Sequence, residues 1–139
     1  MKPTIKLNRA DKLRLKTYIE DENQRPRPNA DQRTALLDFL SLAKVPKESS
    51  NLEDFVGLHD RVVIESSQNP TDSFAFSIVM PEEADIDADL ISILSPVSLA
   101  ALGRKSGDTI QWEAPGGIRE MRIISIMRQL QGVTQPAAI

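Results

Sequence analysis

Acidic side chains supply most of what could do chemistry in this chain. Glu20, Asp21 and Glu22 stand together, and Asp31 follows just beyond the loop QRPRPN at 24–29. Clustered carboxylates are what a divalent cation needs as ligands. The same loop carries Arg25 and Arg27, whose charge opposes a cation, and a charged helix end is also what a solvated terminus looks like. Asp85, Asp87 and Asp89 in ADIDAD have the spacing that opens a calcium loop, which also requires glycine at its sixth position and glutamate at its twelfth. Leu90 and Pro96 stand there, so the run reads as a polar loop before a strand.

His59 is the only histidine and has no serine or cysteine nucleophile motif to serve, so it reads as a surface or turn residue. Without cysteine there is no disulfide framework, thiol nucleophile or cysteine-ligated metal. The glycines are too sparse for a phosphate-cradling loop. Lys12, Arg14 and Lys16 alternate along one segment, which spreads them over more than one helix face and makes no single basic stripe for a phosphate backbone. No catalytic residue, metal or cofactor is expected, and no stable nucleic-acid binding.

The elements that position these residues follow from period and punctuation. Asn8 is placed to cap a helix over about 9–23, with Asp11 adding negative charge in its first turn and Leu15, Tyr18 and Ile19 forming its apolar stripe. Pro26 and Pro28 bar its continuation. Asn29 and Gln32 resemble a capping box for a second helix, whose apolar positions are Leu36, Phe39, Leu40 and Ala43. Two such helices predict an antiparallel hairpin with arms of roughly 22 Å.

From PKESSN at 46–51 onward the period becomes two, and RVVIES, SFAFSIVM, LISIL, TIQWE and REMRIISIM read as five strands. Ser95 and Pro96 start a short helix between the third and fourth, Gly103 ends it, Gly107-Asp108 turns, and Pro115-Gly116-Gly117 closes a hairpin. The fold class is α+β: a helical hairpin over 1–50, then a five-stranded antiparallel sheet around one short helix over 51–139, with a fraying tail from about 128.

At 139 residues, 40% apolar and 27% charged, the chain has the make-up of a soluble globular protein with one core. No apolar run approaches the roughly 18 residues of a membrane span, and the charged start MKPTIKLNRADK is unlike a signal peptide, so the expected address is the cytoplasm. Residues 1–47 hold eleven Lys and Arg against six acids, while 48–139 hold six against fourteen. Opposite fields of this kind suit orientation on a larger charged partner, and equally serve solubility.

The series PEEADI at 81–86, ISILSP at 91–96, ALG at 101–103, GD at 107–108 and APGG at 114–117 resembles the C-terminal domain of the Gre transcript-cleavage factors over roughly 58–127. The tryptophan in IQWEAPGG and the short N-terminal hairpin look most like the Rnk type, the regulators of nucleoside diphosphate kinase. The resemblance implies an FKBP-like fold and a monomeric protein that binds bacterial RNA polymerase at the rim of its secondary channel. By position, the docking loop would be Leu94, Ser95 and Pro96, with Leu99 next along the helix. Leu94 departs from the polar or acidic residue often found there, which implies an altered contact.

Gre factors bring tip acids to a second magnesium in the polymerase. Here Glu20, Asp21, Glu22 and Asp31 offer acids on an arm too short for that reach. The expectation is a non-enzymatic regulator that competes with Gre-type factors. A cleavage-stimulating factor is the alternative. A prolyl isomerase or chaperone is a second alternative, drawing on Phe55, Phe74, Phe76 and Trp112, most of which read as core.

Overall fold

Asparagine at a helix entrance satisfies an N–H that the helix itself cannot, and both helices of the hairpin start this way. In the computed structural model, which describes residues 4–47 and 52–128, helix α1 spans Arg9–Glu20 and the Asn8 side chain accepts from Asp11 N. Helix α2 spans Ala30–Leu42 behind a complete capping box between Asn29 and Gln32. Helix α1 ends at Glu20, short of the expected position 23, because the Asp21 N–H closes the last turn on Thr17 O. With 12 and 13 residues, the arms are about 18 and 20 Å long, shorter than the expected span. The base of the hairpin is sealed where Lys44 N donates to Ile5 O and Leu7 N to Lys44 O.

Strands β1 (Arg61–Ser66), β2 (Ser73–Val79), β3 (Leu90–Ser92), β4 (Thr109–Ala114) and β5 (Gly117–Met127) form one sheet in the order β3-β2-β1-β5-β4. The expected all-antiparallel sheet is corrected here, because β2 and β3 pair in parallel, Ser77 with Leu90 and Val79 with Ser92. Between them the chain makes two short 3-10 turns, Pro81–Glu83 and Ile86–Ala88, and reverses at Asp89, which has φ 59°. That detour returns β3 beside β2 in the same direction, as a parallel pair requires. Asp85 accepts from Asp87 N, so this acidic run shapes its own loop. Ile124 is left unpaired in β5 by a bulge opposite Val63 and Ile64.

Helix α3 spans Pro96–Ala101, and Gly103 follows at φ 77°. Ser95 holds the N-cap position, but its side chain makes no capping bond, contrary to the role expected of it. Strands β4 and β5 meet through Pro115-Gly116, with Gly117 at φ 125° supplying the left-handed residue of the turn. Leu7, Leu15, Tyr18, Leu36 and Phe39 from the hairpin join Val62, Ile64, Phe76, Ile110, Met121 and Ile123 from the sheet in one contiguous core. Most of the expected boundary at 46–51, and the tail beyond 128, lie outside the described residues.

Candidate functional site

Three of the four residues singled out for docking line one groove. The turn into α3 is fixed by its own backbone: Leu94 N donates to Ser92 Oγ, Ser95 N to Ser92 O, and Ser98 and Leu99 N–H groups to Ser95 O. This buries Ile93 completely and leaves Leu94 and Leu99 half-buried and Pro96 exposed. Leu94, Pro96 and Leu99 line an open depression of about 460 Å³ together with Trp112 of β4 and Ala35 of α2. Ser95 is half-buried beside it and is not among the lining residues.

The composition of the groove is uneven. Its apolar residues are Leu94, Pro96, Leu99, Ala100, Trp112 and Ala35, and its polar ones are Asp31, Gln32, Gln111 and Glu113. The lining thus holds two acids and no base. Trp112 is supported by its cross-strand partner Arg119, whose guanidinium lies 5.9 Å from the ring centroid and is held by Asp72 at 2.8 Å. A half-buried aromatic on a fixed strand is the kind of anchor that carries binding energy at protein interfaces.

Both arginines of the hairpin tip are engaged within it. Arg27 folds back over the end of α1, donating to Tyr18 O at 3.1 Å, Asp21 O at 2.9 Å and Ile19 O at 3.3 Å, and its guanidinium lies 5.6 Å from the Tyr18 ring centroid. Tyr18 in turn donates its hydroxyl to Pro26 O. Arg25 donates to Glu22 O and Gln24 O. Arg27 therefore binds carbonyls at the end of α1, and Arg25 binds carbonyls of the loop itself.

Asp21 accepts from Asn23 N and Gln24 Nε2, and these bonds, with Arg27 nearby, hold its carboxyl below the usual aspartate range. Glu20 and Glu22 are exposed. Asp31 lies in the first turn of α2, directly after the tip loop, and lines the groove. Among the described residues no group of three or more acids or histidines could hold a metal ion. The four aromatic residues considered for an isomerase pocket are dispersed. Phe74 and Phe76 pair on β2 with centroids 5.4 Å apart, Trp112 lines the groove, and Phe55 lies under Lys6 in a separate depression.

Sequence reasoning missed the joint between hairpin and sheet. Asp11 Oδ2 accepts from Leu58 N at 3.0 Å, and Asp60 Oδ2 accepts from Gly57 N at 2.9 Å and from Arg128 Nη1 at 2.9 Å. Both carboxylates crowd Gly57, where a Cβ would lie 3.1 Å from Asp11 Oδ2 and 3.2 Å from Asp60 Oδ2. Burial pushes the Asp11 carboxyl up; the Leu58 N–H opposes this, and the Asp60 charge adds to it.

His59, at φ 72°, is a half-buried residue of this joint and donates from Nε2 to Glu83 at 3.0 Å. Arg14 of α1 approaches the same carboxylate at 3.6 Å. Burial works against the Glu83 charge, but the bonds from His59 and Met80 N and the Arg14 charge outweigh it, and the carboxyl titrates below its ordinary range. Lys12 reaches Ala43 O, so Lys12 and Arg14 serve separate intramolecular partners.

The model of the GreA/GreB transcription elongation factor C-terminal domain matches residues 50–128. GreA of Thermotoga maritima is 37% identical over 66% of this chain and 57% of its own length, and GreA of Polaromonas naphthalenivorans is 41% identical over 40% of this chain and 35% of its own. The chain thus spans about a third to somewhat over half of the curated GreA relatives it matches. The regulator of nucleoside diphosphate kinase of Escherichia coli K12 is 30% identical over 84% of this chain and 83% of its own length. A solved GreA/GreB elongation factor of Nitrosomonas europaea superposes with a TM-score of 0.70 at 28% identity, covering 91% of this chain and all of the other. Gfh1 of Thermus aquaticus, at 22% identity and a TM-score of 0.51, shares the fold.

Proposed function

We infer that this chain, which belongs to the GreA/GreB C-terminal family of transcription elongation factors, is a non-enzymatic regulator that docks on bacterial RNA polymerase at the rim of the secondary channel. In this reading the sheet and α3 form an FKBP-like head, and the protein acts as a cytoplasmic monomer in competition with longer-armed factors of its family. The observation that carries it is the groove at the entrance of α3, where Leu94, Pro96 and Leu99 come to one open apolar surface. The hairpin supports the regulatory side of the reading: its arms are about 18 and 20 Å long, and the side chains of Asp21, Arg25 and Arg27 are engaged within its own tip.

Titration of purified polymerase with this protein, alone and against GreA, tests the reading. Pro96→Asp places a charge in the apolar lining and is expected to weaken binding by about tenfold or more. Absence of association at micromolar concentration overturns the proposal.

A further inference from the structure

The docking residues do not form a surface by themselves. The groove is lined from the N-terminal hairpin by Asp31, Gln32 and Ala35 of α2, and from the sheet by Gln111, Trp112 and Glu113 of the edge strand β4. Strand β4 pairs with β5 on one side and is the last strand of the sheet. A largely apolar lining with two acids, beside which the one neighbouring base, Arg119, is already paired with Asp72, selects its occupant by charge as well as by shape.

We propose that the hairpin and the sheet jointly form a specificity groove that takes a polymerase segment presenting an apolar side chain flanked by lysine or arginine, with Trp112 as the anchor and Asp31 and Glu113 reading the flanking charges. This rests on the docking reading above and adds to it a partner chemistry and a role for the hairpin. The hairpin then acts as a wall of the binding site, and its contribution does not depend on how far its tip extends. Long-range attraction between acidic rim and basic segment speeds encounter and fades as salt rises.

The test uses the full chain and core RNA polymerase. Asp31 and Glu113 are exposed, so Asp31→Lys combined with Glu113→Lys preserves the core, which far-UV circular dichroism and a thermal melt check. Ala35→Trp fills the groove from the hairpin side and leaves the residues of α3 unchanged. The charge-reversed protein is expected to bind about tenfold more weakly at 0.1 M salt, with a flatter dependence of Kd on salt. Ala35→Trp is expected to weaken binding at every salt concentration.

Wild-type affinity and salt dependence in both variants, alongside lost binding in Pro96→Asp, would overturn the composite groove and leave the docking reading standing. Failure of the wild-type chain to bind polymerase would overturn both. Concentration-dependent self-association of the wild type, abolished by the charge reversal, would assign the groove to a second copy of this chain and overturn the proposal in that way.

Discussion

Two glycines with the same backbone handedness make opposite demands on their surroundings. Gly103 has φ 77°, and a Cβ there would lie 2.5 Å from Ile5 Cγ2 and 3.3 Å from Lys6 O. Gly107 has φ 96° and open space where its Cβ would be. Gly103→Ala is expected to destabilise by about 3 kcal/mol, combining backbone strain with displacement of the N-terminal segment, and Gly107→Ala by about 1 kcal/mol from strain alone. Equal shifts in two thermal melts would show that the close approach of Ile5 contributes nothing. The role of Gly103 as a helix stop was readable from its place after an apolar turn. Its contact with Ile5 was not, since nothing local ties a residue near the start of the chain to one beyond α3.

Asp11 makes a second residue-scale case. Its folded carboxyl titrates above the ordinary value of 3.8, mainly through burial. A raised folded pKa means that the native state holds the proton more tightly than the unfolded chain. The protonated side chain therefore contributes stability that is present below pH 3.8 and is lost as pH rises through the folded value. Asp11→Asn keeps an acceptor for Leu58 N and removes the charge, so it is expected to stabilise the protein relative to wild type at pH 7 and to lose that advantage by pH 3.5. Glu83 works in the other direction, since its lowered pKa gives stability above 4.5 that fades in acid. Urea unfolding of wild type and Asp11→Asn at both pH values isolates the Asp11 contribution, and a pH-independent difference between them would contradict it.

Among the elements, most of those with local signals matched the sequence, the Ser95 cap and the end of α1 excepted. Asn8, the Asn29 and Gln32 pair and the Pro115-Gly116 turn act through neighbours within four residues, and each stands where expected. The parallel pairing of β3 was not legible, because alternation identifies a strand but not its neighbour or direction. The partners of Arg27 were not legible for a similar reason. The sequence places its charge in a proline-rich loop, and only the fold shows that it returns to the carbonyls of Tyr18, Ile19 and Asp21. Arg27→Ala is expected to cost about 1–2 kcal/mol by removing the donor to Tyr18 O and Asp21 O, while Arg27→Lys, a point charge without the planar fork, recovers less than half of that. Thermal melts of the two variants decide between this and a mere charge effect, under which lysine would restore full stability.

At the scale of the whole molecule, the opposite charges of the two parts meet within the fold. Arg14 of α1 faces Glu82 and Glu83 across the joint at 3.9 and 3.6 Å, although at 41% side-chain exposure for Arg14 such pairs add little stability. The stronger link is apolar. Leu15, Tyr18, Leu36 and Phe39 of the hairpin are buried in the same cluster as Val56, Leu58, Met80, Ile93 and Leu102, and each fully buried large side chain is worth about 1.5–3 kcal/mol.

A hairpin bound this way cannot melt alone without exposing that cluster, so hairpin and sheet are expected to unfold as one cooperative unit. The chain carries its own reporters, since its one tyrosine, Tyr18, lies in the hairpin and its one tryptophan, Trp112, in the sheet. Their side-chain NMR signals, followed in one sample through a thermal melt, are expected to disappear with the same midpoint. Loss of the Tyr18 signal well before that of Trp112 would show that the hairpin is only loosely attached, and the wall it lends to the groove would then be too mobile to read a partner.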